Sequence, residues 1–459
     1  MHRIRLIAPP LAASLLILGL AAPSYAVQVV KTGNTTVNLD TSLQGTFTFQ
    51  NLQDKMRSDN RLYMYLNRAR LAVTGNTGDT DYFTRFELGP NAPGTANAQL
   101  GLLDAGVDVP FLAGMRIRVG QFKVPYGREQ LTSSDARLFN DQVSEFMGFQ
   151  TGRALGGALE YTGGPASFIL GIQGPGGRDV PTRYLPQLFG TPIITLRLGV
   201  GNEGGDPYEL KEHVQSKTTR QGFYLNGLFV KDTTIGHSTA FNVWGNNSGP
   251  YIFQKPLLID SNFNPYVSRA AGSAGVPTNY AGEDQNQGQM AMAGGDYALH
   301  MPFSSATGLD AQAEYDWGQY SDVMGQEIHL NGGTAQVGYY FNPFEVALRY
   351  GVLFPDQNMA PTITVKGQPT IGNTIFGTNG PMSEITPAIN WQLNHNTRLT
   401  LDIPVYLNAP VAEEGNGVGS YLVIPQEPGE TAQAGAQGAT NNIVRQTVVD
   451  AQVGLDYLF

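Results

Sequence analysis

Charged side chains recur in this chain at a spacing of two. Arg68 and Arg70, then Arg116 and Arg118, put guanidinium groups on alternate residues, and Asp310, Glu314 and Asp316 do the same with carboxylates. Paired carboxylates can act as general acid and base on a glycosidic bond, provided that they face each other across one cleft in unlike environments. Residues two apart on a strand instead share a face, so the same spacing equally describes one wet wall. A formal G-x-G-x-x-G stands at Gly199, Gly201 and Gly204, after an apolar run and before "YELKEHVQSK", which reads as a short helix. Asp206-Pro207 interrupts that step and no second βαβ unit follows, so a dinucleotide site is not expected. His213, His237, His300, His329 and His395 stand singly, without metal-ligand spacing, and read as surface or loop residues. There is no G-x-S-x-G, and the absence of cysteine removes thiolate sites and disulfides. No cofactor, metal or catalytic residue is expected.

Composition points away from an ordinary soluble enzyme. Charged residues make up 14% of the 459, against roughly 25% in globular domains, while 56 glycines and 21 tyrosines favour an extended, turn-rich chain. His2, Arg3 and Arg5 precede an apolar run from Leu11 to Ala22, and Ser24-Tyr25-Ala26 supplies a small-x-small site. Residues 1–26 therefore read as a secretory signal peptide cleaved after Ala26, too short to be a membrane-spanning helix. Losing two arginines takes the formal charge from −10 to −12, so nucleic acid is not an expected partner.

The elements that position the charges are strands. In "TVNLDTSLQGTFTFQ", Val37, Leu39, Leu43, Phe47 and Phe49 hold one parity, opposite Asn38, Asp40, Ser42, Gln44, Thr46 and Thr48. "LDAQAEYDWG", "TRLTLDIPVYL" and the final "TVVDAQVGLDYLF" repeat the pattern over about ten residues, the length that crosses a bilayer when tilted. A soluble sandwich also alternates. Aromatic residues near strand ends (Tyr82, Phe86, Tyr315, Trp317, Tyr339, Phe341, Tyr457, Phe459), and connections alternately short and long, favour an outer-membrane barrel. Residues 27–459 then form a single all-β domain, a transmembrane antiparallel β-barrel. Three runs, from 193, 222 and 238, compete for two wall positions, and either choice gives 16 strands. Turn length favours a hairpin through "KDTTIGHS", leaving 175–218 as one long loop.

Parity then sorts the charges. Arg68, Arg70, Arg85, Arg116 and Arg118 fall on the inward face with Asp81 and Glu87, because an arginine turned to lipid near the midplane costs roughly 2–4 kcal/mol. Their outward neighbours are Tyr63, Tyr65 and Leu71, then Tyr82, Phe86 and Leu88, then Met115, Ile117 and Val119. The other inward charges are mostly acidic: Asp40, Asp104, Asp108, Glu160, Asp310, Glu314, Asp402 and Asp450, with Asp316 and Asp456. A basic wall segment facing an acidic remainder would set a field across the lumen. Residues 125–152 hold an apolar stripe, Phe139, Val143 and Phe146, behind a cap at Ser133 or Ser134; a short helix on a loop folded into the barrel would use it.

"RVGQFKVPYGREQLTSSDARLFND", "GLDAQAEYDWG", "GGTAQVGYYFNPFEVALRYGVLFPDQN" and the strand pair at 382–407 resemble the phosphate-selective porin O and P family, across most of the mature chain. The resemblance implies a homotrimeric 16-stranded diffusion channel in bacterial outer-membrane lipid, with its third external loop folded inward. It also implies, against the turn-length argument, that "IITLRLGV" is the eighth strand. Arg116, Arg118, Lys123, Arg128 and Arg137 fall in the matching segment, with Glu129, Asp135, Asp141 and Glu145 among them. Selective members carry a lysine-rich constriction, whereas this chain has eight lysines, only Lys123 among them beside the expected eyelet. The function expected is passive diffusion of ions and small hydrophilic solutes, with a phosphate-like anion preference as one option. An outer-membrane barrel enzyme or an adhesin with an occluded lumen is the alternative.

Overall fold

The computed structural model of the chain describes residues 27–53, 58–89, 99–112, 114–143, 149, 151–177, 192–212, 218–233, 288–321, 327–355, 381–394, 396–412 and 443–458. The expected leader, the run from 238, His213, His237, His395, Phe146 and Phe459 lie outside these residues.

Alternation fixes the element type almost everywhere. In chain order the strands are β1 (Val27–Thr32), β2 (Thr35–Gln53), β3 (Ser58–Thr77), β4 (Thr80–Gly89), β5 (Gln99–Pro110), β6 (Met115–Lys123), β7 (Arg153–Tyr161), β8 (Ala166–Gly177) and β9 (Ile193–Gly201). They continue as β10 (Arg220–Thr233), β11 (Gly288–Pro302), β12 (Thr307–Ser321), β13 (Glu327–Phe341), β14 (Phe344–Pro355), β15 (Met382–Asn394), β16 (Thr397–Asp402), β17 (Val405–Ala412) and β18 (Ile443–Leu458). From β2 to β16 each pairs antiparallel with the next, and β18 pairs back onto β2, which closes the wall. Ile403-Pro404 divides one wall position into β16 and β17, both paired to β15 and β18. The closed wall therefore has 16 positions, with β1 as an extra arm on β2. Closure leaves no strand edge to aggregate, and backbone groups pair without water, as a lipid setting demands.

The contest between runs resolves for residues 193–201. β9 is the eighth wall strand and pairs with both β8 and β10, so the turn-length argument for a 175–218 loop is wrong. Turn length misleads here because the β9–β10 connection, 202–219, is long yet lies on the rim of short turns. That rim also carries the start of β2 and the end of β18, and is called the lower rim below.

Inward residues are the buried ones. Thr46, Thr48, Asp104, Arg118, Asp310, Glu314 and Asp402 are buried, while Leu43, Phe49, Val119, Tyr315, Trp317 and Leu401 are exposed on the outer face. The single parity read across 63–71 breaks at a bulge, where Gln44 pairs with Arg68 but Gly45 pairs with Leu66. Arg68 and Arg70 keep their inward parity, but above the bulge the outer face is Leu62, Met64 and Leu66. One inserted residue exchanges the two faces, which a period-two count cannot see.

Candidate functional site in the barrel interior

Two segments leave opposite rims and meet inside. The upper loop continues from β6 at Val124, and Val124, Tyr126, Leu131 and Val143 are fully buried. Among its described residues the helical content is two short turns, α1 (Arg128–Leu131) and a 3-10 turn at Ser134–Ala136 with Ser133 at its N-cap position but no side-chain cap bond. Phe139 is buried on Ala347 of β14 and Ala388 of β15, in a bend rather than a helix. Phe139 and Val143 are buried as expected but are not helical, and Phe146 lies outside the described residues.

The acidic wall receives the upper loop's donors. Glu314 accepts the backbone N–H groups of Arg128 and Glu129 at 2.9 and 2.8 Å, and Asp316 accepts the Tyr126 hydroxyl at 2.8 Å. Asp402 accepts both the backbone N–H and the side-chain amide of Asn140, at 2.8 and 3.1 Å. Arg349 bonds Glu384 at 2.6 Å and donates to the Asp141 carbonyl at 2.8 Å. A buried hydrogen bond is worth roughly 0.5–1.5 kcal/mol net, so together these carboxylates seat a loop.

The lower loop, 202–212, rises from β9 and reaches the upper one. Leu210 donates to the Leu131 carbonyl at 3.0 Å and accepts from the Ser133 N–H at 2.8 Å; the Glu212 N–H bonds the Ala136 carbonyl at 3.1 Å. Phe122, Leu131, Ala158, Ile169, Tyr208 and Leu210 form the apolar cluster between them. The glycines of the formal G-x-G-x-x-G serve this turn: Gly204 is left-handed at φ 70°, and a Cβ at Gly201 would stand 2.2 Å from the Gln221 carbonyl oxygen. "YELKEH" is not helical over its described residues.

Carboxylates of the lower loop meet the cations. Glu203 holds Arg128 in a two-pronged contact at 2.8 and 2.6 Å, and Asp296 of β11 bonds both Arg128 at 3.0 Å and Arg197 at 2.6 Å. Burial opposes the Arg128 charge, but Glu203 and Asp296 outweigh it and hold the guanidinium above its ordinary value. Burial likewise opposes the Glu203 charge, and Arg128 and His300 bring its carboxyl well below the usual range. His300 is buried, 2.6 Å from Asp310 and 4.0 Å from Glu203, so its reading as a surface or loop residue is wrong.

The five arginines of the basic wall are met locally. Arg118 forms two bonds to Asp108 at 2.7 and 2.6 Å, lies 3.4 Å from Glu160 and 3.5 Å from Asp206, and stacks 3.9 Å from the Tyr208 ring centroid. Arg116 pairs with Asp81 at 2.5 Å, both half exposed at the lower rim. Arg85 bonds Asp104 at 3.3 Å and Glu209 at 2.5 Å, and Asp104 also takes Arg153 at 2.7 Å. Arg70 reaches Glu87 at 3.3 Å and the Ser134 hydroxyl, and Arg68 donates to Gln44 at 3.1 Å. Lys123 donates to the Leu131 and Thr132 carbonyls and stands 3.4 Å from Glu209. The expectation of a basic wall facing an acidic one across the lumen is thus replaced by neighbouring pairs. Asp450 and Glu160 are buried and Asp40 is half-buried.

Arg137 differs from these. It is 5% exposed on the upper loop, its Nε and Nη1 have no hydrogen-bond partner, and no carboxylate lies within 4 Å of it among the described residues. Burial pushes its guanidinium below the ordinary value; Glu129 and Glu212 counteract, while the like charge of Arg70 adds to the shift. Burial and the like charge of Glu212 push the Glu129 carboxyl up to about 7.

Arg197, Asp296, Glu203, Glu209 and Glu212 escaped the sequence reading. Arg197 had a usable signal, as the single charge in the alternating "IITLRLGV"; the lower-loop glutamates had none beyond an overlong lower-rim connection.

A closed barrel with an inward loop is now joined by a sequence match: residues 37–182 fit the family model of the phosphate-selective porins O and P. The match spans residues 37–182 of 459 and, with the closed barrel, supports reading the chain as a porin. The solved structures agree on the fold: the porin resembles an anion-selective porin from Comamonas acidovorans at a TM-score of 0.50 and 11% identity, over 93% of this chain and 100% of that one. It resembles OmpT, an outer membrane protein of Vibrio cholerae, at a TM-score of 0.50 and 10% identity, over 95% and 100%. No curated protein matches the porin's sequence. The porin is an outer-membrane channel for small solutes.

Proposed function

We propose that this porin passes ions and small hydrophilic solutes by passive diffusion, without catalysis, and that Arg68, Arg70 and Arg137 form the anion-accepting station on the path. Arg137 carries the reading: a buried guanidinium with unused N–H groups is costly unless a ligand or water meets them. The inward charges of both signs, Arg85, Arg116, Arg118, Lys123 and Arg128 against Asp40, Asp81, Glu87, Asp104, Asp108, Glu160, Asp310, Glu314, Asp402 and Asp450, hydrate the lumen and hold its loops. Because most are paired, they leave only a weak net preference for anions such as chloride or phosphate. A cavity of about 560 Å³ at the lower rim, lined by Arg85, Arg116, Tyr82, Asp206 and Glu209, fits the mouth of that path.

The chain is exported with residues 1–26 removed, and assembles as a homotrimer in outer-membrane lipid, in keeping with the family resemblance. Mass spectrometry of the native chain and its mass in detergent check both points. Planar-bilayer recording tests the channel. Steady conductance is expected, with an anion-to-cation permeability ratio that falls in Arg137→Gln; silent bilayers from folded protein would sink the reading.

A further inference from the structure

The lower loop carries four carboxylates in ten residues, Glu203, Asp206, Glu209 and Glu212, and the first three each meet a basic side chain of the wall or of the upper loop. Glu209 has the most to neutralise. Arg85, Lys123 and Arg153 are its cationic neighbourhood, and the wall itself supplies them with Asp104, shared by Arg85 and Arg153. Three cations against one carboxylate leave a surplus of two, which Glu209 halves. Lys123 and Arg85 outweigh the burial of Glu209 and hold its carboxyl well below the usual range, so it stays charged. Its side chain is 22% exposed and lines the lower-rim cavity.

We propose that Glu209 is a selectivity-determining residue, a tethered counter-anion that the lower loop places on Arg85 and Lys123, where a permeating anion would otherwise be held. The proposal rests on the channel reading and adds the segment that limits its anion preference. A carboxylate on a loop bonded to the upper loop competes at high effective concentration with any mobile anion, so it need not be tight to keep the cations occupied. Asp206 acts in the same sense on Arg118, more weakly, since it stands half exposed at 3.5 Å.

The test is reversal potential in a potassium chloride gradient, with full-length protein in planar bilayers and folding checked by the shift in gel migration on heating. Glu209→Gln raises the anion-to-cation permeability ratio, by roughly two- to fivefold for one unit charge near a water-filled path. Arg85→Gln lowers it, and the double variant returns it toward that of the unaltered protein. Asp206→Asn, on an exposed side chain, gives a smaller rise and stands in if Glu209→Gln does not fold. A folded, conducting Glu209→Gln with an unchanged ratio overturns the proposal and assigns Glu209 to loop anchoring alone; so does an unchanged ratio in Asp206→Asn when that variant has to stand in. An unaltered protein that conducts nothing instead defeats the channel reading, so the two failures are distinguishable.

Discussion

The upper and lower loops fill the same lumen by opposite electrostatic arrangements. The upper loop offers donors, backbone N–H groups and Arg128, to carboxylates fixed on the wall and the lower loop. The lower loop offers carboxylates to cations on the wall and the upper loop. The upper loop gives donors to the barrel's carboxylates and also takes bonds from Arg349, Lys123 and Arg70 of the wall, whereas the lower loop meets the barrel through its carboxylates. Charge of one sign on a barrel wall can therefore be a docking surface rather than a filter, and Arg137, whose Nε and Nη1 are unbonded, is a place where docking is incomplete.

The contact shared by both loops is the place to break this arrangement. Arg128→Ala leaves Glu203 and Asp296 buried with a partner removed, and a loss of about 3–5 kcal/mol in barrel stability is expected from urea unfolding in detergent. Glu314→Gln disturbs the upper loop alone: the amide accepts one of two N–H groups, and a loss of about 1–3 kcal/mol follows by the same assay.

Glu129 gives a pH signature specific to the upper loop. Its carboxyl titrates near 7 in the folded barrel, above its value in the unfolded chain, so the folded state binds more protons between about 4.5 and 7. Stability contributed by Glu129 is present below that window and is lost as pH rises through it. Glu129→Gln flattens the dependence of the thermal midpoint on pH; an unchanged slope would refute the assignment. The smallest effect is expected at the rim, where Arg116→Gln breaks a half-exposed pair and costs at most about 1 kcal/mol in the urea assay.

The two loops also differ in how they can be read. The wall was legible because lipid outside and water inside enforce alternation, and one misplaced arginine is expensive. The upper loop announced itself through Phe139 and Val143, apolar residues with no business in a solvated connection. The lower loop gave no such signal: Tyr208 and Leu210 are only two apolar residues, and Glu203, Glu209 and Glu212 look like ordinary solvated charges until their partners are known. Pairing partners such as Arg128 and Glu203 lie 75 residues apart, a relation that no local pattern encodes. The bulge at Gln44 and Gly45 was hidden for another reason, since it changes register without changing composition.

The arm β1 gives the barrel a stop. β3 takes one edge of β2 from Thr35 to Gln53, so β18 and β1 must share the other. β18 ends with Leu458 opposite Ser42, and β1 begins with Val27 opposite Leu39, leaving only Asp40 and Thr41 of β2 between the two strands. At this seam, where strands some 400 residues apart in sequence must find each other, a sliding last strand would run into the arm. The six residues of β1 thus occupy the stretch of β2 into which β18 would have to slide, a steric stop on that one seam.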